Sequence, residues 1–553
     1  MAPSPRIVIP AALALLLGAG WWIESSGRFD NTRKLMRNDV VPGEALVTGP
    51  LARVLRTNGM FRAAVDEDGD FVYRLHEERL PIADSTNAAQ PFLRKDWPLI
   101  SVTVNEADLN DPESGIFANY EQRWEVPAQV SYFEGEELIT QMPVGLRLHG
   151  NSTRRPEVRA KHGSSVRLYA RVTYDSGDLP LEQIFDGQAT AANRLIVRGE
   201  SALSSSLSFD IVREIGGDAP SMRPGLYVLN GEVQGMFSLS EHLTKDYWAE
   251  RLGHGDFSFY RYRGNSSKVD ARNYEDLHAW VARLEPGKVT MAKVSENVDL
   301  ESYIRHMFPF LWCGTDDWAQ GAAYLDRGPR LQLWRWVNWD MDRSFRYSTE
   351  RDPTNAEIWR KMCFDLVLAD LSKEPTVAIE LKEANRVQRE DVRSMIFAGL
   401  VRDDPMFRDV FAERAVGFMN HELGAEFMSE RLSWYRQFSG KPGIASRAID
   451  DAEIFLRRRS AFFREDMARA LGLKDSVPVR IGVGAGGEQQ TLVIDGRLEA
   501  LPYLGYYFPG QTVTVEARGL GQGLSQAWRV NGELVEGSRL EVEVEGKLGI
   551  RVL

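Results

Sequence analysis

Between Pro98 and Tyr262 the chain alternates apolar and polar residues in short β-branched runs, such as Val130-Ser131-Tyr132-Phe133 and Arg194-Leu195-Ile196-Val197, broken by Gly, Asn and Pro. A period of two with such interruptions predicts a sheet-rich lobe. Ser204 to Ile215 carries its apolar residues at helical spacing and stops at Gly216-Gly217, which predicts one helix inside that lobe. From Asn273 to Leu473 the period becomes helical. Ser267 to Glu285 and Phe407 to Phe438 read as helices, and Ala452, Phe455, Leu456, Phe463, Met467 and Leu471 mark a long amphipathic helix that starts soon after Pro442-Gly443. Arg457-Arg458-Arg459 on that helix reads as an exposed stretch. Beyond Ser476 short strands return at Val477 to Val483, Gln490 to Asp495, Thr512 to Ala517, Ala527 to Val530 and Leu540 to Val544, separated by Gly and Asn turns, and predict a small β-sandwich.

The N-terminal pattern differs. Ile7 to Ile23 is free of charge, follows Arg6 and includes the interfacial pair Trp21-Trp22, which suits an export signal or a membrane anchor. At about 1.5 Å per residue it reaches about 25 Å, a short span, and an uncleaved anchor is the favoured expectation. Arg28, Arg33, Lys34 and Arg37 follow it and, by the positive-inside rule, favour a cytoplasmic bulk domain. Phe29 to Lys95 is mixed and polar, with a strand pair expected around Met60 and Phe71 across the turn at Asp66 to Gly69. The length of 553 residues allows two to four domains, and the 43% hydrophobic and 26% charged shares are those of a globular protein. A net charge of -12 argues against nucleic acid as the main partner, because a phosphate backbone needs a basic surface. Two cysteines, Cys313 and Cys363, exclude a disulfide framework or a Cys-rich zinc site.

The candidate chemistry is concentrated in Trp336-Val337-Asn338-Trp339-Asp340-Met341-Asp342-Arg343-Ser344-Phe345, with Asp316 and Asp317 upstream. Carboxylates at i and i+2 among aromatic residues are costly to bury unless cations pair with them. Two readings follow. Asp340 and Asp342 hold Mg²⁺, which takes few protein carboxylates and completes its shell with water and phosphate oxygens. Alternatively they cap a turn and pair with Arg335 or Arg343. The chain has no Gly-x-x-x-x-Gly-Lys-Ser/Thr loop, no His-Glu-x-x-His and no Gly-x-Ser-x-Gly elbow.

An ordered series of segments gives these residues a context: Gly145-Leu146-Arg147-Leu148-His149-Gly150-Asn151-Ser152-Thr153-Arg154, Val166 to Arg171, Leu229-Asn230-Gly231-Glu232 with Gly235-Met236-Phe237 and Glu241, Gly314 to Trp318, and Asn338 to Phe345. This series resembles the CotH kinase family, the spore-coat protein H type of atypical protein kinase, from about Pro98 to Phe345. The resemblance implies an α+β fold with a diverged two-lobed protein-kinase-like core that binds ATP and Mg²⁺ and phosphorylates Ser or Thr of a protein partner. By position it implies Asp317 as the catalytic aspartate, Asp340 as the metal aspartate with Asp342 as a second acidic contact, and Arg147, Arg154, Lys161 and Glu241 around the nucleotide. Two departures stand out. Ser164 occupies the position where the family usually has Lys, leaving Lys161 to serve only through a shift in the loop, and Gln320-Gly321-Ala322 replaces the family's asparagine. They keep open a second reading, a pseudokinase acting as a surface binding or scaffold protein. The expected organisation is a membrane segment over residues 1–25, a juxtamembrane linker over 26–95, a sheet-rich lobe over 96–265, a helical lobe and extension over 266–475, and an all-β sandwich module over 476–553. The region after Pro98 resembles exported bacterial members, so the bulk domain is expected outside the cytoplasm on a single N-terminal span.

Overall fold

The computed structural model describes residues 82–95, 97–150, 153–171, 174, 176–185, 193–199, 202–262, 266–315, 320–328, 332–345, 363–368, 391–437, 446–483, 491–517 and 527–553. The apolar run at Ile7 and the strand pair at Met60 lie outside them. Among the described residues no helix is long and apolar enough to cross a membrane.

The alternating segments after Pro98 close into a barrel. Its strands are β1 (Pro98–Val104), β2 (Glu125–Glu134), β3 (Glu137–Leu148), β4 (Val166–Tyr169), β5 (Arg194–Arg198), β6 (Met222–Leu229) and β7 (Glu232–Glu241), in the order β1-β2-β3-β4-β5-β7-β6. Neighbours are antiparallel except that β1 pairs in parallel with β6, with Leu99 opposite Leu226 and Val102 opposite Leu229. The side-chain period of two explains the closure. Ile100 and Val102, Val126, Ala128 and Val130, Val144, Leu146 and Leu148, Leu195 and Val197, and Leu239 all enter one interior core, leaving their neighbours to face outward. Leu99, Leu226, Val228 and Met236 point the other way, into a second core shared with the helices.

Helix α1 (Pro156–His162) joins β3 to β4, and α2 (Ala202–Glu214) lies on β6 and β7 with Leu207, Ile211 and Val212 buried. Helix α3 (Lys245–Leu252) leads to β8 (Phe257–Arg261), which forms a three-stranded sheet with β9 (Ala322–Asp326) and β10 (Trp334–Val337) in the order β10-β9-β8. On β10, Trp334 and Trp336 face the helical core while Val337 joins a small core with Trp248 and Tyr324, so alternation along the strand sends its apolar residues to two different neighbours.

The helical region contains α4 (Lys268–Ala282), α5 (Leu300–Trp312), α6 (Val392–Asp403), α7 (Pro405–Asn420), α8 (Ala425–Arg436) and α9 (Ser446–Leu471). The stretch expected to be helical from Phe407 to Phe438 is interrupted between Asn420 and Ala425, where Gly424 sits in extended backbone as the N-cap of α8. The expectation for Arg459 needs correction. Arg457 is exposed, but Arg459 is completely buried, and its Nε and Nη2 donate to the carbonyls of Trp312 at 2.7 Å and Leu311 at 2.8 Å. A guanidinium there satisfies the last carbonyls of α5 and meets the negative end of its dipole.

Nine strands, β11 (Val477–Val483), β12 (Thr491–Ile494), β13 (Arg497–Ala500), β14 (Tyr503–Tyr507), β15 (Thr512–Glu516), β16 (Ala527–Val530), β17 (Glu533–Glu536), β18 (Arg539–Glu543) and β19 (Leu548–Val552), form two sheets in the orders β14-β11-β19-β16-β17 and β13-β12-β15-β18. Their inward residues, among them Ile481, Ile494, Val515, Trp528 and Ile550, continue the same apolar cluster as the helices. Asn420 at the end of α7 exchanges two hydrogen bonds of 3.0 Å with the backbone of Tyr506, and Arg464 of α9 stacks over the Tyr506 ring at 4.1 Å.

Candidate nucleotide and metal cleft

Two chain segments converge where the barrel meets the β8-β9-β10 sheet. The first leaves α5, which begins at the cap Asp299, whose carboxylate accepts from the N–H of Ser302 at 3.0 Å, and runs through buried Trp312 and Cys313. The second leaves β10 at Asn338, which is fully buried and held on three sides. Its N–H donates to the Asp218 carbonyl at 2.8 Å, its Nδ2 donates to the His306 carbonyl at 3.2 Å, and its Oδ1 lies 3.2 Å from His306 Nδ1. His306 Nε2 in turn lies 3.2 Å from Arg393 Nη1. Because arginine only donates, Nε2 accepts and Nδ1 carries the proton, so His306 is a neutral imidazole. Burial first, and then the positive charge of Arg393, holds its pKa well below the usual value.

Past Asn338 the backbone turns sharply, with Asp340 at φ 57°. Aspartate tolerates this left-handed region better than most side chains. The turn closes with the Ser344 N–H donating to Met341 O and the Phe345 N–H donating to Cys313 O, both at 3.1 Å. The loop carrying Asp340 and Asp342 is thereby pinned to the residue just before Gly314-Thr315. Asp316 and Asp317 lie outside the described residues, but both flanks of their segment are fixed. Cys313 is bonded to Phe345, and Ala322 pairs with Val337 across the β9-β10 ladder.

Between these elements opens a cavity of about 310 Å³. Arg167, Arg198 and Arg261 supply cations, His149 and His242 polar nitrogens, Leu243, Phe259, Tyr262 and Trp339 apolar walls, and Gln320 and Asp340 the far side. The potential inside is positive. Arg167 Nε donates to His149 Nδ1 at 2.8 Å, so that imidazole is neutral, and burial followed by Arg167, Arg198, Arg147 and Arg154 holds its pKa far below the ordinary value. His242 is lowered in the same way by burial and then by Arg167, Arg261 and Arg194. A cleft that suppresses two histidines with arginine charge attracts an anion.

Of the residues singled out from sequence, Asp340 lines the cavity and Asp342 lies beside it. Asp317 lies outside the described residues, and Arg147, Arg154, Lys161 and Glu241 are not among the lining residues. Arg147 is buried on β3 in register with Glu125 and Arg167. Arg154 donates to the Tyr120 carbonyl at 2.8 Å, Lys161 is exposed on α1, and Glu241 is buried and accepts the Ser221 N–H at 2.7 Å. The cations of the cavity, Arg167, Arg198 and Arg261, were not singled out. Arg167 was within reach of sequence reasoning, because it stands in the outward register of the Val166 to Arg171 strand.

The acidic pair is neutralised by a cation that neither sequence reading named, and Arg335, one of the two expected there, is engaged elsewhere. Arg335 pairs with Asp299 at 2.9 Å. Arg198, the last residue of β5, sends Nη1 to Asp340 Oδ1 at 2.5 Å and Nη2 to Asp342 Oδ2 at 3.0 Å. The three side chains are about one-fifth exposed.

The donor set fits a nucleotide with Mg²⁺. His242 is 3% exposed, yet its Nδ1 has no hydrogen-bond partner among the described residues, as befits a group waiting for a ligand. The aromatic walls beside three arginines match a base carrying phosphates. Among the described residues no three His, Cys, Asp or Glu side chains form a metal cage. Two carboxylates are nevertheless what Mg²⁺ takes when phosphate oxygens and water complete its shell. Gly321 adopts φ 125°, and a Cβ there would lie 3.2 Å from Arg393 Nη1 and 3.3 Å from the Val337 carbonyl. The positive φ favours glycine, and a side chain there would press on the guanidinium that holds His306.

No curated protein matches the chain. Comparison with known families matches residues 146–441 to the family described as CotH kinase protein. That match takes in the end of β3, the cleft walls, both acidic segments and α5 to α8, more than half of the 553 residues, and the chain belongs to the CotH kinase family.

Proposed function

We propose that the chain is a protein kinase that uses ATP and Mg²⁺ to phosphorylate Ser or Thr hydroxyls of a protein partner at the cell envelope. The observation that carries this reading is the arginine-lined, aromatic-walled cavity with Asp340 at its edge. The barrel and the helical region act as its two lobes. Arg167 and Arg261 bind the phosphates, His242 Nδ1 adds a hydrogen bond, and Leu243, Phe259 and Tyr262 enclose the base. Asp340 and Asp342 hold Mg²⁺, which when bound screens charge on the phosphoryl oxygens. Asp317 orients the substrate hydroxyl and accepts its proton. The uncharged run from Ile7 to Ile23 tethers the protein to the membrane with its bulk outside the cytoplasm.

Transfer from radiolabelled ATP to a general acceptor, or to the chain itself, tests this. Wild type should label, and Asp317→Ala and Asp340→Ala should each lose about 10²- to 10⁴-fold in rate while remaining folded. Equal labelling by wild type and both variants would remove the assignment. One observation favours a second reading, a pseudokinase that serves as a surface binding or scaffold protein. Arg198 already neutralises both candidate metal carboxylates, so the cation position can be filled permanently by protein. Mg²⁺-dependent nucleotide stabilisation without transfer would select that reading.

A further inference from the structure

Arg198 joins the two sides of the cleft. It is carried by the barrel, while Asp340 and Asp342 are carried by the loop after β10, and its two terminal nitrogens engage a different carboxylate each. One guanidinium therefore stands where a divalent cation bridging the same two carboxylates would stand. Arg198 also lines the cavity with Arg167 and Arg261, so a phosphate bound there lies within its reach. A free metal ion alone would have to expel Arg198 into a space that already holds two arginines. Like charges and lost hydrogen bonds oppose that exchange. A phosphate group removes the obstacle by giving Arg198 a new anion as the carboxylates are released.

We propose that Arg198 is an internal counter-cation that refuses free Mg²⁺ and yields Asp340 and Asp342 only when nucleotide phosphates receive its guanidinium, so that metal and nucleotide bind cooperatively. The charge balance supports the exchange. Arg198 leaves the two carboxylates with a net charge of minus one, a divalent ion neutralises them, and the released arginine offsets one phosphate charge. Arg198 thereby sets the order in which metal and nucleotide bind. The inference rests on the nucleotide reading given above.

The test is Mn²⁺ binding to the full chain by electron paramagnetic resonance, with and without a non-hydrolysable ATP analogue, together with thermal melts. In wild type the analogue should tighten Mn²⁺ by about 10- to 100-fold, the range of ordinary site coupling. In Arg198→Gln, Mn²⁺ alone should bind about 10-fold or more tighter than to wild type, and the coupling should fall below about 3-fold. Arg198→Lys keeps one charge but cannot fork to two carboxylates, so it should lie between them, and it preserves the test if the glutamine variant fails to fold. Equal Mn²⁺ affinity in wild type and both variants, or undiminished coupling in folded Arg198→Gln, overturns the proposal while leaving the nucleotide reading intact. Failure of the analogue to bind any of the three proteins with Mn²⁺ present overturns the nucleotide reading itself.

Discussion

Arg393 shows how much of this site hangs on single side chains. It is fully buried, donates to both oxygens of Asp391 at 2.8 and 2.9 Å, to the Gln320 carbonyl at 3.0 Å and toward His306, and lies 4.2 Å over the Tyr262 ring. One guanidinium thereby ties α6 to the segment after Asp317 and, through His306, to Asn338 before Asp340. Replacing it leaves the buried Asp391 carboxylate without its counter-ion. Arg393→Met should cost about 3 to 5 kcal/mol, read as a fall in the urea midpoint, because breaking one side of a buried pair costs more than the pair contributes. At this scale the sequence revealed part of the site. Asp340 and Asp342 were legible because carboxylates among aromatic residues demand a cation. The identity of that cation was not, since Arg198 lies 142 residues from Asp340 and meets it only through the fold. Arg147 and Arg154 looked suitable beside a glycine turn, but Arg147 is buried opposite Glu125 and Arg154 is held by the Tyr120 carbonyl, while Arg167, Arg198 and Arg261 line the cavity.

At the scale of elements, period and punctuation carried most of the information. Helix α2 appears within two residues of the expected span, and β11 and β16 coincide with theirs, because Gly-Gly, Asn-Gly and strict alternation are local signals. The parallel pairing of β1 with β6 is decided by distant contacts, which no local period encodes. Helix α5 matters most for function, since it delivers the chain to Asp316 and Asp317. Its N-cap Asp299 accepts the Ser302 N–H and also pairs with Arg335 on β10, coupling the helix start to the strand that leads to Asp340. Asp299→Ala should lower stability by about 1 to 2 kcal/mol in denaturant titration, and Asp299→Asn, which keeps the cap but not the charge, should recover most of it.

Across the whole molecule, excess negative charge coexists with a positive cleft, so the arginines there are a local arrangement and not a consequence of composition. The C-terminal sheets are fastened to the helices by a second charged cluster. His421, at the end of α7, lies 2.7 Å from Glu499 and 3.5 Å from Asp495. Burial opposes its charge, but the hydrogen bond to Glu499 and the attraction of both carboxylates prevail and raise its pKa to about 9. A raised pKa stabilises the fold fully below the unfolded value near 6.5, and that stability is lost as pH climbs through about 9. Asp495 is lowered, so its share is lost in acid instead. Thermal melts from pH 6 to 9.5 should therefore show a decline, on the order of 3 kcal/mol at most, that His421→Gln abolishes by starting from the lower plateau.

Arg459 sets an order of events in time. The terminal carbonyls of α5, immediately before the acidic segment, are closed by a guanidinium 147 residues further along. During synthesis at about 5 to 20 residues per second, α5 emerges seconds before the group that completes its end. A ribosome-bound chain that has reached only residue 441, the limit of the family match, has α5 but not the arginine that closes its end. The seating of the α5 C-terminus should therefore wait until residue 459 has left the ribosome.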